Sequence, residues 1–598
     1  MLADRRRLPC LKENDWKREG DTTMDMVNIT IDGQKVTVPK TSTVLEAATS
    51  LGIQIPTLCY HPELRVEGAC RVCMVEVEGA RSLVASCVFP VNEGMVVRTN
   101  TAAVREARKT VVELLLANHP TDCLSCQRNL NCELQDIAAD LGVREIRFDG
   151  EKKSYPLDNN NPSLVRDQSK CILCGRCIRA CSERQGVHVY SFANRGFNTT
   201  VVPAFNLGLD EVACTYCGQC AAVCPTGAIV EKDDTQAVWN ALSDSTKHVI
   251  VQTAPAVRVA LGEALGLPHG SIVTGKMVTA LKRLGFAKVF DTNFTADLTI
   301  WEEGSEFIDR LNNGGKLPLI TSCSPGWVNF IELKYPDLLD HLSSAKSPQQ
   351  MFGAIAKTYY AEKAGIDPKD IISVSIMPCT AKKAEAARPE MNSSGYQDVD
   401  YVLTTRELAR MIREAGLTFG GLAETEFDAP LGIGSGAGMI FGATGGVMEA
   451  ALRSVVKMVT GKELDNIEFQ AVRGMTGIKE ASVPVTEGLT AKVAVAHTLA
   501  NARVLLDKIR AGEADYHFIE IMACPGGCSG GGGQPIITSA EHRQNRIDSI
   551  YECDKNCALR KSHDNPAVKE LYETWLGKPL GEKSHHLLHT HYHPQKKC

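Results

Sequence analysis

The chain contains one closely spaced cysteine motif twice, and this repeat limits what the sequence can fold into. A Cys-x₂-Cys-x₂-Cys-x₃-Cys run is followed further along by a second one, which a proline directly follows. The eight residues are Cys171, Cys174, Cys177, Cys181, Cys214, Cys217, Cys220 and Cys224. Cysteines clustered in this way bind metal in a reducing compartment, whereas disulfide scaffolds are typical of small secreted domains. With 598 residues and no apolar export segment, the sequence predicts a cytoplasmic protein with metal sites.

The composition excludes several other classes of protein. The chain carries 65 basic and 71 acidic side chains, a formal net charge of −6, so nothing favours nucleic-acid binding. A hydrophobic content of 44% is that of an ordinary globular protein rather than a disordered one. No apolar run reaches the ~18 residues that a bilayer requires. We therefore expect neither nucleic acid nor a membrane among the partners.

The spacing of the two cysteine runs is that of bacterial ferredoxins with two [4Fe–4S] clusters. In these proteins the fourth cysteine of each run binds the cluster of the other run. We therefore expect Cys181 to join Cys214, Cys217 and Cys220, and Cys224 to join Cys171, Cys174 and Cys177.

A second cysteine set lies nearer the start of the chain. Residues 27–38 alternate apolar and polar residues on both sides of Asp32-Gly33, which predicts a β-hairpin, and Thr43 to Glu46 reads as a capping box that begins a helix. Cys59, Cys70, Cys73 and Cys87 follow. This arrangement resembles the plant-type ferredoxin fold around a [2Fe–2S] cluster, and its cysteine gaps are more similar to the first cluster domain of the large iron–sulfur subunit of respiratory complex I. Zinc is the alternative, although zinc usually takes two close cysteine pairs.

A third set combines one histidine with three cysteines. A helical pattern over 104–116 is followed by His119, Cys123, Cys126 and Cys132. The same resemblance to complex I implies a [4Fe–4S] cluster with one imidazole and three thiolate ligands. On residue types alone, the set would fit zinc equally well.

Beyond about residue 246, apolar strand-like runs alternate with helical patterns, which indicates α/β architecture. The predicted strands are 248–257, 288–290, 317–321, 371–376 and 516–521. Three of them end in cysteine motifs, which are Thr-Ser-Cys323-Ser324-Pro-Gly-Trp, Met377-Pro-Cys379-Thr-Ala-Lys382-Lys-Ala-Glu and Met522-Ala-Cys524-Pro-Gly-Gly-Cys528-Ser-Gly-Gly. Open α/β sheets place ligands at the carboxyl ends of their strands, so we expect these motifs to converge on one crevice.

At these three motifs the chain resembles the [FeFe]-hydrogenases, and with the preceding cluster domains the resemblance extends from Val27 to His593. The layout is most similar to the catalytic subunit of multi-subunit, NAD(P)-linked hydrogenases, many of which bifurcate electrons. The resemblance implies an enzyme that oxidises H₂ reversibly to protons and electrons. Its implied partners are ferredoxin, flavin- and NAD(P)H-binding and small [2Fe–2S] subunits, and diiron maturation proteins.

The resemblance also implies an H-cluster, which is a [4Fe–4S] cube joined through one cysteine to a diiron unit with CO, cyanide and a dithiolate amine. By motif position, Cys379, Cys524 and Cys528 would hold the cube, and Cys528 would bridge to the diiron unit. Lys382 would hydrogen-bond a cyanide. The other pocket positions of the family match Ala254, Pro255, Gln349, Met377, Phe441 and Met522.

A proton path is implied by the same resemblance. Glu303, Glu306 and Arg310 fall on one face of a helical pattern, and with Cys323 and Ser343 they match the path of the family. Taken alone, such a stripe is more typical of a solvated helix face. The motif context favours the proton path.

One position departs from the family pattern. The first motif normally reads Cys-Cys, with the first cysteine as proton shuttle and the second as a cube ligand, whereas here it reads Cys323-Ser324. A hydroxyl is a poor iron ligand, so the serine could bind as alkoxide, one iron could stay open to water, or Cys323 could become the ligand. We expect Ser324 or water at that iron and a free Cys323.

These observations predict a multidomain α+β and α/β protein. The segments are a disordered extension (1–25), a β-grasp [2Fe–2S] ferredoxin-like domain (26–103), a His/Cys₃ cluster domain (104–150), a linker (151–163), a two-[4Fe–4S] ferredoxin-like domain (164–240), an α/β H-cluster domain (246–575) and a tail (576–598). We interpret the five histidines between His585 and His593 as part of a docking tail, and Cys553 and Cys557 as incidental thiols. A hydrogen sensor and a non-enzymatic iron–sulfur assembly protein are the alternatives to an enzyme.

Overall fold

A computed structural model describes residues 25–464, 466–486, 489–536 and 538–597. The predicted extension 1–25 lies, except for its last residue, outside the described residues. Within the described ranges, no helix is both long and apolar enough to cross a bilayer.

The first domain is a small mixed sheet with one helix packed on it. Its elements are β1 (Met26–Ile31), β2 (Gln34–Pro39), α1 (Val44–Ser50), β3 (Met74–Val77), β4 (Val84–Ala85) and β5 (Val96–Arg98), in the sheet order β2-β1-β5-β3-β4. The predicted hairpin is present, with Ile31 paired to Gln34 across a turn in which Asp32 and Gly33 both have positive φ. That turn suits Asp-Gly, because glycine adopts positive φ without strain. The predicted capping box between Thr43 and Glu46 begins α1.

Two cluster-bearing segments follow. The first contains α2 (Ala102–Ala117) and α3 (Glu133–Asp140), and α2 covers the predicted helix. The second contains β6 (Leu164–Arg166), α4 (Arg176–Arg179), β7 (Ser191–Ala193), β8 (Thr200–Val202), α5 (Gln219–Val223) and β9 (Ile229–Glu231), with antiparallel pairs β6–β9 and β7–β8. In the segment predicted as a linker, Asn161 is fully buried and its side-chain oxygen accepts from the Ser163 and Leu164 amides.

The remaining chain forms two four-stranded sheets surrounded by helices. Its first half contains α6 (Thr235–Ser243), β10 (His248–Thr253), α7 (Leu261–Ala264), α8 (Thr274–Leu284), β11 (Lys288–Asp291), α9 (Thr292–Asn313), β12 (Leu319–Ile320), α10 (Pro325–Lys334), α11 (Pro348–Ile355), α12 (Ala361–Ala364), β13 (Ile371–Met377), α13 (Ala381–Ala386), β14 (Tyr401–Thr404) and α14 (Thr405–Glu414). Its second half contains α15 (Gly436–Ile440), α16 (Gly446–Thr460), β15 (Ile478–Thr486), β16 (Leu489–His497), α17 (Leu499–Arg510), β17 (Phe518–Met522), α18 (Ala540–Asn556), α19 (Pro566–Leu571) and α20 (Glu582–Leu588).

The sheet orders place the predicted strands at the centre of the domain. One sheet has the order β11-β10-β13-β14 and is parallel throughout. The other has the order β12-β17-β16-β15, and only β15 and β16 pair antiparallel. The predicted strand over 248–257 is too long, because β10 ends at Thr253 and Pro255 begins a short 3₁₀ turn. Proline lacks the amide hydrogen that a ladder requires. The multidomain α+β and α/β fold class is confirmed.

A buried charge network fixes the second cluster segment against the domain that contains the two four-stranded sheets. Glu231, at the end of β9, accepts from Arg406 at 2.6 Å and from Arg410 at 3.1 Å, both on α14. The two arginines hold the pKa of the Glu231 carboxyl well below its usual value, although burial alone would raise it. An unpaired charge at this buried position would lower the stability of the fold. The network therefore also fixes the orientation of the second cluster segment relative to α14.

Candidate metal centres and active site

Three loops that follow strand ends meet at one cavity. They come after β12, β13 and β17, and carry Cys323 and Ser324, Cys379, and Cys524 and Cys528, respectively. Twelve of the residues singled out in the sequence line this cavity: Ala254, Pro255, Cys323, Ser324, Gln349, Met377, Cys379, Lys382, Phe441, Met522, Cys524 and Cys528. Parallel pairing of β12 with β17 brings two of these loops to the same edge of one sheet, and the loop after β13 comes from the other sheet to line the same cavity.

The cavity fits a bulky group that carries positive metal centres. Together with the open space at its mouth it encloses about 700 Å³. Burial raises the pKa of Cys379 to about 11 and that of Cys528 to about 12, so the bare thiols would stay protonated. A metal reverses this preference, because a coordinating thiol is deprotonated outright. The Oε1 atom of Gln349 is buried there without a hydrogen-bond partner in the protein.

Lys382 is held in place by a carboxylate that the sequence analysis did not assign. Its Nζ lies 2.8 Å from Glu385 Oε2 and 3.1 Å from the Cys323 carbonyl oxygen. The same Glu385 oxygen accepts from the Ser347 hydroxyl at 3.0 Å and from Gln349 Nε2 at 3.1 Å. In the sequence, this contact is indicated only by the position of Glu385 three residues after Lys382, a spacing at which side chains on one helix meet.

Cys323 and Ser324 have different neighbours although both line the cavity. The Ser324 hydroxyl oxygen accepts from the Ala523 amide at 3.2 Å, next to Cys524. Burial raises the pKa of Cys323 well above its usual value, and the nearby Glu303 raises it further. Cys323 therefore retains its proton and lies close to Glu303 on α9 as well as to Lys382 and Cys528, whereas the Ser324 hydroxyl lies beside the cysteine motif after β17.

The predicted proton-path residues form a connected set below the cavity. Glu303 is fully buried on α9, where burial and the neighbouring Glu306 raise its pKa to about 8. The Ser343 hydroxyl contacts Glu303 and donates to Glu306 Oε2 at 2.9 Å. Arg310 donates to Glu306 Oε1 at 2.6 Å and to the Leu342 carbonyl at 2.7 Å. Glu303, Glu306 and Arg310 therefore do not form a solvated helix face. A carboxyl group with a pKa near 8, such as that of Glu303, can gain and lose a proton near neutral pH.

The cysteines of the first domain gather in its loops. Cys73 and Cys87 have their Sγ atoms 3.4 Å apart, and the Cys70 amide lies 3.5 Å from Cys59 Sγ. Cys59 also contacts the thiols of Cys70 and Cys87, which joins the two pairs into one group of four.

The cysteines of the tandem runs group crosswise. One cavity is lined by Cys171, Cys174, Cys177 and Cys224, so the last cysteine of the second run lies with the first three of the first run. Burial is the largest cause of the raised pKa of Cys220. The nearby Cys217, Cys214 and Cys181 raise it further, which places these four cysteines together. The structure therefore places each fourth cysteine with the other run, as the spacing predicted.

The histidine-containing set is closest to the surface. Cys123 is exposed, and Cys126 and Cys132 are half-buried. His119 Nδ1 is buried without a hydrogen-bond partner, and burial lowers the pKa of His119. A neutral imidazole with a free nitrogen is the form that binds a metal. Within the described residues, no three His, Cys, Asp or Glu side chains converge tightly enough to hold a single metal ion.

The second cluster segment contacts the cavity loops directly. Gln185 donates to the Ala523 carbonyl at 3.0 Å, and Gln219 donates to the Gly530 carbonyl at 3.0 Å. A Cβ added at Gly532 would lie 2.4 Å from the Cys217 carbonyl oxygen, so only glycine permits this approach. The loop that carries Cys217 therefore packs against the loop after β17.

Two further groups of residues, Cys553 with Cys557 and the C-terminal segment, lie apart from the cavity. Cys553 is half-buried on α18, and Cys557, also half-buried, directly follows that helix; burial raises the pKa of both. The segment predicted as a docking tail folds back onto its own domain, since Leu587, Leu588 and His589 are buried.

Sequence-family comparisons match five consecutive parts of the chain. They are the 2Fe–2S iron–sulfur cluster binding domain (24–102), the iron–sulfur binding region of NADH-ubiquinone oxidoreductase-G (108–147), the 4Fe–4S dicluster domain (170–228), the C-terminal domain of the iron only hydrogenase large subunit (247–532) and the iron hydrogenase small subunit (540–595).

Individual relatives agree with these matches. The chain is 53% identical over 584 residues to the NADP-reducing hydrogenase subunit HndD of Solidesulfovibrio fructosivorans, which covers 95% of this chain and 99% of the relative. It is 42% identical over 574 residues to iron hydrogenase 1 of Clostridium pasteurianum, with 95% and 100% covered. A solved structure of an apo variant of the [FeFe]-hydrogenase HydA1 from Chlamydomonas reinhardtii is 46% identical with a TM-score of 0.55, and covers 61% of this chain and 99% of that one.

Proposed function

This chain belongs to the iron-only, or [FeFe], hydrogenases, and on that premise we propose that it is the hydrogen-activating subunit of a larger NAD(P)-linked complex. It is an oxidoreductase that interconverts H₂ with protons and electrons, and it carries an H-cluster, one [2Fe–2S] cluster and three accessory [4Fe–4S] clusters. The observation that carries the assignment of the active site is the cavity in which the cysteines of three strand ends meet Lys382.

In our proposal Cys379, Cys524 and Cys528 would hold the cube, and Cys528 would also serve the diiron unit. Ser324 or a water would complete the cube, because the Ser324 hydroxyl lies beside the motif of Cys524, while Cys323 lies close to Glu303 and would keep its proton. When bound, the H-cluster supplies the electrophilic metal and the nearby amine base that heterolytic cleavage of H₂ requires.

The other side chains of the cavity position the cofactor and exclude water. Lys382 would donate from its ammonium group to a cyanide, and Glu385 fixes the direction of that ammonium group. Gln349 Oε1 is left unpartnered and can accept a hydrogen bond from the cofactor. Pro255, Met377, Phe441 and Met522 line the cavity with apolar surface. A dry site strengthens electrostatic interactions within it.

Protons move between the cavity and the surface along Cys323, Glu303, Ser343 and Glu306, with Arg310 beside the last. Cys323 holds a proton because burial raises its pKa, and the pKa of about 8 lets Glu303 receive and release one. The Ser343 hydroxyl touches both glutamates, so it can accept a proton from one and donate to the other.

Electrons leave through the second cluster segment, in our proposal by way of Cys217 and its neighbours. This assignment is supported by the direct packing of the Cys217 loop against the loop after β17. The crosswise sets at Cys171 to Cys224, the His119 set and the Cys59 set then continue the chain of clusters toward the surface. The exposed position of Cys123 makes the His119 set a suitable point of exchange.

Multi-subunit partners are indicated by the relative that is named as a hydrogenase subunit. We propose ferredoxin, a flavin subunit that binds NAD(P)H, and a small [2Fe–2S] subunit as the redox partners, with diiron maturation proteins required for assembly. We place the protein in the cytoplasm, because cysteines clustered for metal are typical of a reducing compartment and nicotinamide reduction takes place there.

Iron content tests the cofactor inventory. The four accessory clusters supply about 14 irons and the H-cluster adds about six, so fully matured protein should contain about 20 per chain. Chemical iron analysis of protein made with and without the diiron maturation machinery measures this, and the second sample should contain about two irons fewer. A matured protein with only about 14 irons would contradict the assignment of the H-cluster.

Purification from the native host tests the proposed complex. Four accessory clusters in three segments exceed what contact with a ferredoxin alone requires, so we expect tight co-purification with a flavin-containing subunit. Size-exclusion chromatography with flavin fluorescence detects it. A native monomer that exchanges electrons only with ferredoxin would be the contrary result.

A further inference from the structure

Two of the cluster sets come into direct contact. Glu133, at the start of α3 in the segment of the His119 set, donates from its amide to the Pro225 carbonyl at 3.0 Å. A Cβ added at Gly227 would lie 2.9 Å from Cys126 Sγ. Pro225 and Gly227 closely follow the last cysteine of the crosswise set that we call the Cys171 set, namely Cys171, Cys174, Cys177 and Cys224. The His119 set and the Cys171 set therefore meet at one junction.

A buried arginine lies at this junction. Arg128 is 4% exposed, and its Nη2 donates to the Cys224 carbonyl at 3.1 Å. Its Cγ would lie 3.5 Å from the Cβ added at Gly227. Burial raises the pKa of Cys132, and the nearby charge of Arg128 opposes that rise. Arg128 therefore contacts the loop of the Cys171 set and lies close to the cysteines of the His119 set.

The backbone around Arg128 holds it in place. The Asn129 amide donates to the Cys126 carbonyl at 2.9 Å, and the Asn131 amide donates to the Arg128 carbonyl at 3.0 Å, so two successive turns contain this residue. The side chain of the preceding Gln127 donates to the Glu231 carbonyl at 3.1 Å, which fixes the turns to the second cluster segment. The fold itself therefore positions the guanidinium.

The partners of Arg128 differ from those of the other buried arginines nearby. In the second cluster segment, each buried arginine has a carboxylate oxygen within 3.5 Å, in the pairs Arg166–Asp158, Arg176–Glu133 and Arg179–Glu67. The Arg128 Nε and Nη1 atoms are buried without a hydrogen-bond partner in the protein. Within the part of the chain that the structure describes, its guanidinium therefore hydrogen-bonds only the neutral Cys224 carbonyl.

A buried charge of this kind requires an anion. A guanidinium without a counter-charge destabilises a fold strongly, and each buried N–H without an acceptor adds to that cost. A [4Fe–4S] cluster with three or four thiolate ligands is an anion, and reduction makes it one unit more negative. Its sulfur atoms accept hydrogen bonds, which together with net charge set its reduction potential. The clusters of the two sets would thus supply the negative charge and the acceptors that the polypeptide does not provide.

We propose that Arg128 is the common counter-ion of the His119 cluster and the Cys171 cluster, and that its Nε and Nη1 groups donate to sulfur atoms at their junction. This inference rests on the proposed electron path through these two sets. One electron passes between the clusters without a proton, so one cluster is oxidised and the other is reduced. The positive charge of Arg128 stabilises the added negative charge on either cluster and therefore favours the reduced state of both.

Arg128→Met tests this role, because methionine keeps an unbranched side chain at the junction but has neither a charge nor N–H groups. A neighbouring opposite charge changes a protonation equilibrium by roughly 10- to 10³-fold, and we expect the lower end of that range for the one-electron reduction of each cluster. Both reduction potentials should therefore fall, and a tenfold change equals about 59 mV. Potentiometry followed by electron paramagnetic resonance measures this on full-length protein made without the diiron maturation proteins.

Further variants assign the signals and control for the substitution. His119→Cys and Cys171→Ser identify the two clusters, because each changes one ligand and thereby the potential of one cluster. Arg128→Lys retains the charge but not the planar group, so both potentials should fall less than in Arg128→Met. The matched control is Arg144→Met, which removes an exposed charge after α3 and should leave both potentials unchanged, because solvent and salt screen that charge.

The outcomes distinguish this inference from the proposed function. Unchanged potentials in Arg128→Met, with both signals present, would overturn the role of Arg128 and leave the electron path intact. A fall in the potential of only one cluster would contradict the common role. Lower iron content and a lost signal in both Arg128 variants would show that the arginine only stabilises its loop. If His119→Cys changed no signal, the cluster assigned to that set, and with it the proposed function, would be contradicted.

Discussion

Replacing Cys323 with alanine is expected to reduce H₂ turnover by roughly 10³-fold, within the ~10²–10⁴ typical of proton transfer by a positioned group. The Cys323 thiol holds a proton at the cavity because burial and Glu303 raise its pKa, and alanine has no proton to give. The cube should remain, since Cys379, Cys524 and Cys528 are unchanged. H₂ evolution with a reduced mediator measures the loss, and electron paramagnetic resonance and iron analysis measure the cube.

The control for this change is Cys553→Ala, which removes a half-buried thiol on α18 outside the cavity. It should leave turnover within about twofold of the parent. If Cys323→Ala loses the cube as well, Cys323 is the fourth ligand and the roles proposed for Cys323 and Ser324 are reversed. Turnover near that of the parent would show that protons reach the cavity without this thiol.

Glu306→Gln is expected to remove most turnover, by roughly 10²-fold or more. The amide is nearly the same shape as the carboxyl group but does not titrate near neutral pH, so a proton from Ser343 has no acceptor. Arg310, which donates to Glu306 at 2.6 Å, would also lose its anionic partner. Infrared bands of bound CO and cyanide should be unchanged, because Glu306 does not line the cavity.

Asp309→Asn provides the matched control, since Asp309 is an exposed acid on the same helix. It should leave turnover within about twofold of the parent, as surface changes usually do. Activity near that of the parent in Glu306→Gln would mean that protons leave by another route. A change in the infrared bands would mean that the substitution disturbs the cofactor, and the loss of turnover could then not be assigned to proton transfer.

The cluster sets could be predicted because their information is local. Two or three residues between cysteines bring thiols together in one loop, as at Cys171, Cys174 and Cys177, and this requires no knowledge of the rest of the fold. The crosswise placement of Cys181 and Cys224 followed from the same spacing. The convergence of Cys323, Cys379 and Cys528 could be predicted because α/β sheets carry ligands at the carboxyl ends of their strands, although Cys379 follows a strand of the other sheet.

The contacts that the sequence did not reveal join distant segments. Glu385 accepts from Gln349 only because α13 and α11 meet, and Ser344 reaches His589 across 245 residues. No periodicity or spacing encodes such a pairing. Strands β14, β15 and β16 were not predicted either, since their pattern was not separated from the surrounding helical signal.

The glutamine contacts between the second cluster segment and the cavity loops bear on how far this enzyme can be shortened. The solved relative from Chlamydomonas aligns with only 61% of this chain, which suggests a minimal, single-cofactor derivative as an engineering goal. A chain that begins at residue 246 would lose Gln185 and Gln219, and the carbonyls of Ala523 and Gly530 would lose their donors. Removal of the segment would also uncover these carbonyls, and mobile water would take the place of the fixed donors. A miniaturised hydrogenase built from this sequence would therefore need new donors at those two carbonyls before its loops could keep their shape.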